Sequence, residues 1–241
     1  MTDPTGMPPD DAWAESAGVR IAEALARAAE EAGGERRVAL ALAGGSTPAP
    51  VYRWLAEAGG VPWDRVEIFF GDERCVPPDH PDSNYRMARE TLLDPVGVPS
   101  DQVHRMEGEA ENREAAADAY AGLLPEHLSV LLLGVGADGH TLSLFPGAPT
   151  LEERRRLVVP AEGPAGSSPV HRLTVTPPVV EAAKEIYVLA RGTSKAEAVA
   201  RALEGDWAPS ACPAQIARRG VWLLDPDAAS ALEGPVNGAR P

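Results

Sequence analysis

Short apolar runs alternate along this chain with segments of helical periodicity, and this alternation limits the folds that it can adopt. The runs at 38–43, 66–71 and 130–133 lack the alternation of apolar and polar residues that marks a strand with one face exposed to solvent. Near-continuous apolar strands separated by helices are typical of parallel sheets covered on both faces. We therefore predict a single α/β domain, with an open, mostly parallel sheet and helices on both faces in a Rossmann-like three-layer arrangement. Helices are predicted at 12–32, through Val51, Tyr52 and Leu55, and at 83–93, 111–124 and 194–203. Further strands are predicted at 157–159, 173–176, 186–190 and 221–224.

The length of 241 residues fits one such domain. We predict that it occupies 12–232, between a disordered segment at 1–11 and a mobile tail at 233–241. The two cysteines, Cys75 and Cys212, form no pairing motif, which argues against a disulfide scaffold and fits a reducing compartment. No signal peptide pattern is present, and no apolar stretch approaches the roughly 20 residues that span a bilayer. We therefore expect a cytoplasmic protein.

The net charge of −14 disfavours nucleic acid and anionic membranes as partners. To bind an anionic substrate, the protein would need positively charged side chains at the site, because its overall charge is negative. The chain has only two lysines, Lys184 and Lys195, so arginines must provide most of the positive charge.

Four polar or glycine-rich segments directly follow predicted strands, at 44–48, 71–84, 134–147 and 191–195. The carboxyl ends of parallel strands share one edge of an open sheet, and ligands bind in the crevice at that edge. We therefore expect these four segments to converge on one site.

The first segment, Gly44-Gly45-Ser46-Thr47, lies between a strand and a helix. Free N–H groups and the positive helix end would make it a seat for a phosphate. A tight turn is the alternative, with Thr47 as N-cap and Pro48 in the first helical position. The segment lacks the lysine of a P-loop and the spacing of a dinucleotide fingerprint, so it does not by itself decide between these interpretations.

Charged side chains in three other places are candidates for binding an anion. Asp72 and Arg74 follow a strand directly, and the guanidinium of Arg74 is suited to clamping a phosphate or carboxylate. Lys195 lies in the first turn of a predicted helix, where a cation is unfavourable unless an anion faces it. Arg172 is a weaker candidate for the same anion site. Simple surface exposure is the alternative for each of these residues.

His140 is the strongest candidate for catalysis, at the end of Gly134-Val135-Gly136-Ala137-Asp138-Gly139-His140. A lone histidine is more often structural, but the flanking glycines permit close approach of a ligand, and imidazole serves as a general base near neutral pH. Asp138 is included as a second catalytic candidate, although two residues of separation do not establish a hydrogen bond. The chain has no HExxH, Walker A lysine or GxSxG motif, so metalloprotease, P-loop and serine-hydrolase chemistry are poorly supported.

Five ordered segments resemble the 6-phosphogluconolactonase family over roughly residues 12–227. They are Leu42-Ala43-Gly44-Gly45-Ser46-Thr47-Pro48, Phe69-Phe70-Gly71-Asp72-Glu73-Arg74 with Ser83-Asn84-Tyr85, Gly134 to Pro146 with Asp138-Gly139-His140, Arg172-Leu173-Thr174-Val175-Thr176, and Gly192-Thr193-Ser194-Lys195.

The resemblance implies hydrolysis of 6-phospho-D-glucono-1,5-lactone to 6-phospho-D-gluconate, the second step of the oxidative pentose phosphate pathway, without a metal or organic cofactor. His140 matches the base that the family is proposed to use, drawing a proton from the attacking water. Arg74 and Lys195 match its phosphate contacts, with the loop 44–47 beside them. The expected partner is the small phosphorylated lactone alone. We expect a monomer, although no residue pattern encodes the oligomeric state.

Two alternatives are weighed against the lactonase. Glucosamine-6-phosphate deaminases of the same superfamily share the Asp-Gly-His segment, but they carry Asp-Glu-Tyr or a similar triplet where this chain has Asp72-Glu73-Arg74. They also carry an Asn-Glu-Pro run with an acid for ring opening, where this chain has Ser143-Leu144-Phe145-Pro146. A non-catalytic sugar-phosphate sensor usually accompanies a DNA-binding segment, and we expect none here.

Overall fold

The computed structural model of the chain describes residues 9–34 and 37–234, and a five-stranded parallel sheet lies at its centre. The strands in chain order are β1 (Val38–Leu42), β2 (Val66–Phe70), β3 (Asp72–Arg74), β4 (Val130–Gly134), β5 (Val158–Glu162), β6 (His171–Val175), β7 (Glu185–Ala190) and β8 (Val221–Leu224). The central sheet has the order β2-β1-β4-β7-β8, and every neighbouring pair is parallel. The predicted mostly parallel sheet is confirmed.

An α-helix follows each of the strands β1, β3, β6 and β7 before the next strand begins. The helices are α1 (Pro9–Ala32), α2 (Ala49–Glu57), α3 (Asn84–Ala88), α4 (Asp94–Val96), α5 (Arg113–Ala121), α6 (Pro177–Ala182) and α7 (Ala196–Leu203), with one π-helical turn, Arg89–Leu93, between α3 and α4. The five predicted helices are present with shifted ends, including α2 at the predicted pattern of Val51, Tyr52 and Leu55. Within the described residues, no helix is long and apolar enough to cross a membrane.

The two ends of the chain are only partly described. Helix α1 begins at Pro9, three residues before the predicted start at 12, so 9–11 are helical rather than disordered. The rest of the predicted disordered segment, 1–8, lies outside the described residues, as does 235–241 of the predicted mobile tail.

Alternate residues of the central strands pack into two different apolar clusters. Leu40 and Leu42 of β1 belong to the cluster formed with α1 and α2, whereas Ala39 and Ala41 belong to the cluster formed with α5 and α7. Both faces of the sheet are therefore covered. This double burial is why the strand sequences are apolar throughout, and it confirms the predicted three layers.

A second, antiparallel sheet of order β3-β6-β5 was not predicted. The sequence indicated a polar loop for 71–84, but β3 begins at Asp72 and pairs with β6. Gly71 links the two sheets, because its N–H donates to Leu42 O at 3.1 Å and its carbonyl accepts from Val175 N at 2.9 Å. The strand runs at 157–159 and 173–176 belong to this second sheet, at its junction with the carboxyl edge of the first.

Candidate active site

A cavity of about 220 Å³ lies at the carboxyl edge of the central sheet, and all four predicted segments contribute to it. Eight of the predicted site residues line it: Gly44, Gly45, Ser46, Thr47, Asp72, Arg74, His140 and Lys195. The convergence expected from the strand order is therefore confirmed. Asp138 and Arg172 are not among the lining residues, whereas Asn84 and Leu142 line the cavity without having been predicted. Two other depressions surround Arg113, and no predicted site residue lines either of them.

The loop 44–47 needs glycine at two positions for two different reasons. A Cβ on Gly44 would lie 2.0 Å from Asn84 Oδ1, so the Asn84 amide packs directly against this glycine. Gly45 has a φ of 90°, in the left-handed region that favours glycine. The predicted N-cap at Thr47 is wrong, because Pro48 occupies the cap position of α2 and no side chain caps the helix.

Asp72 is buried, with 8% of the residue exposed, and two neutral donors hold its carboxylate. Ser143 Oγ donates to Asp72 Oδ2 at 2.6 Å, and Asn84 Nδ2 donates to Asp72 Oδ1 at 3.1 Å. Sequence reasoning missed both donors as site residues. Their presence in the resembling segments was the only signal, since the partners are far from Asp72 along the chain.

The Glu73 carboxylate anchors the chain around the cavity although it does not line it. Four donors reach it: Arg74 N and Asn84 N at 2.7 Å, Tyr85 N at 2.8 Å and Ser83 Oγ at 3.0 Å. Burial raises the pKa of Glu73, and these hydrogen bonds only partly offset that effect. Within a run of three charged residues, nothing in the sequence distinguished this buried anchor from a surface charge.

Arg74 and Arg172 face each other across the β3–β6 pair. Arg74 Nη1 donates to Asp82 O at 2.7 Å, which ties the guanidinium to the loop before α3. Burial and the neighbouring charge of Arg74 lower the pKa of Arg172, against the opposing effect of nearby Asp72 and Asp82. Arg172 Nε is buried and has no hydrogen-bond partner among the described residues. The strand pairing thus adds a second positive charge close to the cavity wall.

His140 and Asp138 form a close pair within the glycine loop. Asp138 Oδ1 lies 2.6 Å from His140 Nδ1 and accepts the His140 backbone N–H at 3.1 Å. Partial burial raises the pKa of Asp138, but the hydrogen bonds and charge of His140 outweigh it and lower that pKa overall. Asp138 does not line the cavity, so it acts on the site through its contact with the His140 imidazole.

The glycines around His140 make room for this pair. A Cβ on Gly136 would lie 2.1 Å from His140 Nδ1 and 2.5 Å from Asp138 Oδ1. Gly139 has a φ of 93°, and its carbonyl accepts from Ala214 N at 2.9 Å. A substitution at Gly136 would displace the imidazole, whereas one at Gly139 would be strained by the left-handed backbone and would place its Cβ 2.9 Å from Cys212 Sγ.

Leu142 is an unusual part of the cavity wall, because its φ of 56° is left-handed and it is not glycine. Its side chain lies against Gly71, where a Cβ would come within 2.5 Å of Leu142 Cδ2. The bare Gly71 backbone therefore leaves room for the leucine that lines the cavity.

Lys195 completes the set of lining residues. It ends a 3₁₀ turn, Thr193–Lys195, and stands in the cap position immediately before α7. Gly192 N donates to the carboxylate of Asp225 at 3.0 Å, which fixes the start of this turn. Within the described part of the chain, no group of three or more His, Cys, Asp or Glu side chains is arranged to hold a metal ion.

The fold and the cavity together define a class of protein. A histidine paired with a carboxylate, beside cations at the carboxyl edge of a parallel sheet, is typical of an enzyme that acts on a small anionic molecule. The family model for glucosamine-6-phosphate isomerases/6-phosphogluconolactonase matches residues 8–223, and the chain belongs to this family.

The chain is similar to several curated 6-phosphogluconolactonases. It is 39% identical to the one from Synechocystis sp. over 206 residues, covering 80% of this chain and 84% of that protein. It is 36% identical to the one from Mycobacterium tuberculosis over 242 residues, covering 93% and 96%. The solved 6-phosphogluconolactonase of Trypanosoma brucei superposes with a TM-score of 0.79 at 31% identity, covering 92% of this chain and 95% of that one.

A solved monomeric glucosamine-6-phosphate deaminase also superposes, with a TM-score of 0.76 at 24% identity and coverage of 93% and 98%. At that identity the likeness concerns the fold alone. The backbone architecture is therefore common to both activities of the family.

Proposed function

We propose that this protein hydrolyses 6-phospho-D-glucono-1,5-lactone to 6-phospho-D-gluconate. One observation carries the proposal: His140 lines the same cavity as Arg74 and Lys195. The Nδ1 of His140 lies 2.6 Å from Asp138 Oδ1. A base at one position and cations at another suit a substrate with an electrophilic carbonyl and a remote phosphate. The lactonase relatives support the same reaction.

His140 acts as the general base in this proposal. Asp138 holds the proton on Nδ1, which leaves Nε2 to accept a proton from the water that attacks the lactone carbonyl. The new C–O bond gives a tetrahedral oxyanion. Its collapse breaks the bond to the ring oxygen, which takes the proton that His140 had accepted, and the carboxylic acid product ionises to the carboxylate. General base catalysis of this kind contributes roughly 10²–10⁴-fold.

We assign the developing oxyanion to a backbone N–H of the loop 134–140 other than those of Gly136, Gly139 and His140, which donate within the loop. Preorganised donors of this type lower the barrier because the negative charge develops only as the reaction proceeds. Asp138 also stabilises the imidazolium that forms when His140 takes the proton, and its lowered pKa keeps the carboxylate ionised at neutral pH.

The phosphate is assigned to Arg74, Lys195 and the loop 44–47. All of them line the cavity, and their charges and N–H groups favour an anion within a protein of net charge −14. Arg172 stands beside Arg74 and does not line the cavity. We therefore assign to it only an electrostatic contribution to phosphate binding. Fixing the phosphate places the carbonyl near the water, which removes part of the entropic barrier.

Asp72 is assigned to the hydroxyl groups of the sugar ring. Its two oxygens accept from Ser143 and Asn84, and an ionised carboxylate has about four acceptor positions, so further acceptor capacity remains. We also infer a cytoplasmic monomer that needs neither metal nor organic cofactor. Sedimentation tests the monomer, and activity after treatment with a chelator tests whether a metal is needed.

A coupled assay on freshly prepared phosphogluconolactone tests the function directly. The protein is expected to open the lactone well above the spontaneous rate, and a rate equal to the spontaneous one would overturn the proposal. Ammonia release from glucosamine 6-phosphate, measured in parallel, would instead identify a deaminase. Binding of either compound without turnover would identify a sensor.

A further inference from the structure

Tyr52 forms a staple at the base of the loop 44–47. Its hydroxyl donates to Ala43 O at 2.8 Å and accepts from Ala43 N at 2.9 Å. Ala43 is the residue immediately before Gly44, and it lines the cavity itself. The ring of Tyr52 is fully buried, and burial raises the pKa of its hydroxyl well above the ordinary value.

This staple closes a small circuit of backbone. The chain leaves β1 at Leu42, passes through the loop and enters α2, from which Tyr52 reaches back to Ala43. Tyr52 N also donates to Pro48 O at 2.9 Å. Both ends of the glycine loop are therefore attached to the same residue, Ala43 through the Tyr52 hydroxyl and Pro48 through the Tyr52 backbone N–H, which limits how far the loop N–H groups can move.

Tyr120 makes the same pair of contacts at the end of the neighbouring strand. Its hydroxyl accepts from Phe70 N at 2.7 Å and donates to Phe70 O at 3.1 Å. Phe70 is the last residue of β2, and the chain continues through Gly71 into the strand that carries Asp72 and Arg74. Tyr120 is also fully buried, on α5.

We propose that Tyr52 and Tyr120 are positioning residues for the active site. Each hydroxyl satisfies the N–H and the carbonyl of one residue at the point where a strand gives way to a segment that lines the cavity. Packing alone would be met by phenylalanine at either position, and burying a hydroxyl is unfavourable unless it is hydrogen-bonded. The hydroxyls therefore serve the backbone geometry of the loop 44–47 and of β3. This inference rests on the proposed function for the roles of those segments.

The test uses Tyr52→Phe and Tyr120→Phe, with Tyr187→Phe as the matched control. The Tyr187 side chain is also buried, but its hydroxyl donates to the Glu185 carboxylate rather than to backbone beside the cavity. KM and kcat are measured on phosphogluconolactone and on unphosphorylated gluconolactone. Hydrogen exchange at the amides of Ala43 and Phe70 reports whether each staple has opened.

Tyr52→Phe is expected to raise KM for the phosphorylated lactone about tenfold, with kcat changed less than about twofold, because the displaced loop contacts only the phosphate. The unphosphorylated lactone should be little affected. Tyr120→Phe is expected to raise KM for both substrates, and more for the phosphorylated one, because Asp72, assigned to the ring hydroxyls, and Arg74, assigned to the phosphate, both follow Phe70. Tyr187→Phe should leave every constant unchanged.

Wild-type KM values in both staple variants would overturn the inference. A change in KM or kcat that only follows a lowered melting temperature would also overturn it, since it indicates a merely structural role. The same change in Tyr187→Phe would have the same meaning. If Tyr52→Phe fails to fold, 3-fluorotyrosine at position 52 keeps the ring and the hydroxyl while changing its hydrogen-bond strength. A shift in KM confined to the phosphorylated lactone is then expected, and none would overturn the inference.

Failure of the proposed function gives a different result. The wild-type protein would then not accelerate lactone opening, whatever the state of the staples. Titration with inorganic phosphate, followed by the amide signals of the loop 44–47, still tests the staple in that case. Weaker binding in Tyr52→Phe than in Tyr187→Phe supports it, and equal binding overturns it.

Discussion

One oxygen of Asp138 contacts both the ring and the backbone of His140: Oδ1 lies 2.6 Å from Nδ1 and accepts the backbone N–H at 3.1 Å. Two hydrogen bonds to one atom fix both the tautomer and the orientation of the imidazole. The glycine at position 136 is a condition of this arrangement, because a side chain there would occupy the space of the imidazole. The pair thus depends on the backbone of its own loop.

Replacement of Asp138 by asparagine tests the contribution of its charge. The amide oxygen can still accept the His140 N–H, but it no longer stabilises the imidazolium, so kcat should fall about a hundredfold with little change in KM. Steady-state kinetics on the phosphorylated lactone measure this. Asp118→Asn, which removes an exposed carboxylate paired with Arg156, is the control. An unchanged kcat in Asp138→Asn would show that the pair is structural.

Replacement of His140 by alanine removes the proposed base. We expect kcat to fall by roughly 10²–10⁴-fold while KM changes little, because the phosphate contacts remain. His127→Ala is the matched control, since that imidazole lies at the surface beside Glu126. Turnover of His140→Ala at the wild-type rate would require a different base.

Replacement of Lys195 by alanine tests the phosphate site, and the chain offers its only other lysine, Lys184, as the control. A charge-assisted hydrogen bond contributes about 1.5–3 kcal/mol, so KM for the phosphorylated lactone should rise about ten- to a hundredfold. Handling of the unphosphorylated lactone should stay close to that of the wild type. Equal losses on both substrates would place Lys195 away from the phosphate.

Replacement of Glu73 by glutamine tests the buried anchor. The four donors around the carboxylate leave no acceptor for a side-chain NH₂, so unfolding free energy should fall by about 1–3 kcal/mol. Urea unfolding measures this change. Glu67→Gln, at a partly exposed position on β2, should be nearly neutral.

The difference in unfolding free energy between the wild type and Glu73→Gln should change with pH in a definite direction. Burial raises the pKa of Glu73 above its ordinary value of 4.5, so the folded protein holds this proton more tightly than the unfolded chain. The contribution of Glu73 to unfolding free energy therefore declines as the pH rises from 4.5 through the raised pKa. Glu73→Gln has no titrating carboxyl at this position. The gap in unfolding free energy between the wild type and Glu73→Gln should therefore narrow as the pH rises. A gap that widens would contradict the raised pKa.

Replacement of Gly71 by alanine tests the packing of Leu142. The new Cβ would lie 2.5 Å from Leu142 Cδ2, so the flexible end of this leucine, which lines the cavity, would have to move. We expect KM to rise several-fold with a smaller loss of stability, because the leucine yields more easily than the backbone. The double variant Gly71→Ala with Leu142→Ala should recover much of the lost affinity. Additive effects in this double-mutant cycle would mean that the two residues do not interact.

Most of the framework could be predicted because it follows from local patterns. The apolar runs gave the central strands to within two residues, and the order of strands and loops predicted the shared edge at which eight site residues meet. The second sheet could not be predicted in this way. Asp72 to Arg74 read as a polar loop, and their strand exists only because β6, about a hundred residues later, pairs with them. That pairing is what brings Arg172 beside Arg74.

The sequence by itself determined the order of the elements, the four loops at the sheet edge and the glycine spacing around His140. These depend on periodicity and on backbone freedom, which neighbouring residues set. Only the tertiary structure decided which groups hold the site residues: Ser143 on Asp72, 71 positions away, and the tyrosine hydroxyls on Ala43 and Phe70. Such contacts depend on how helices and sheets pack, and a buried polar group takes whichever partner that packing brings within hydrogen-bonding distance.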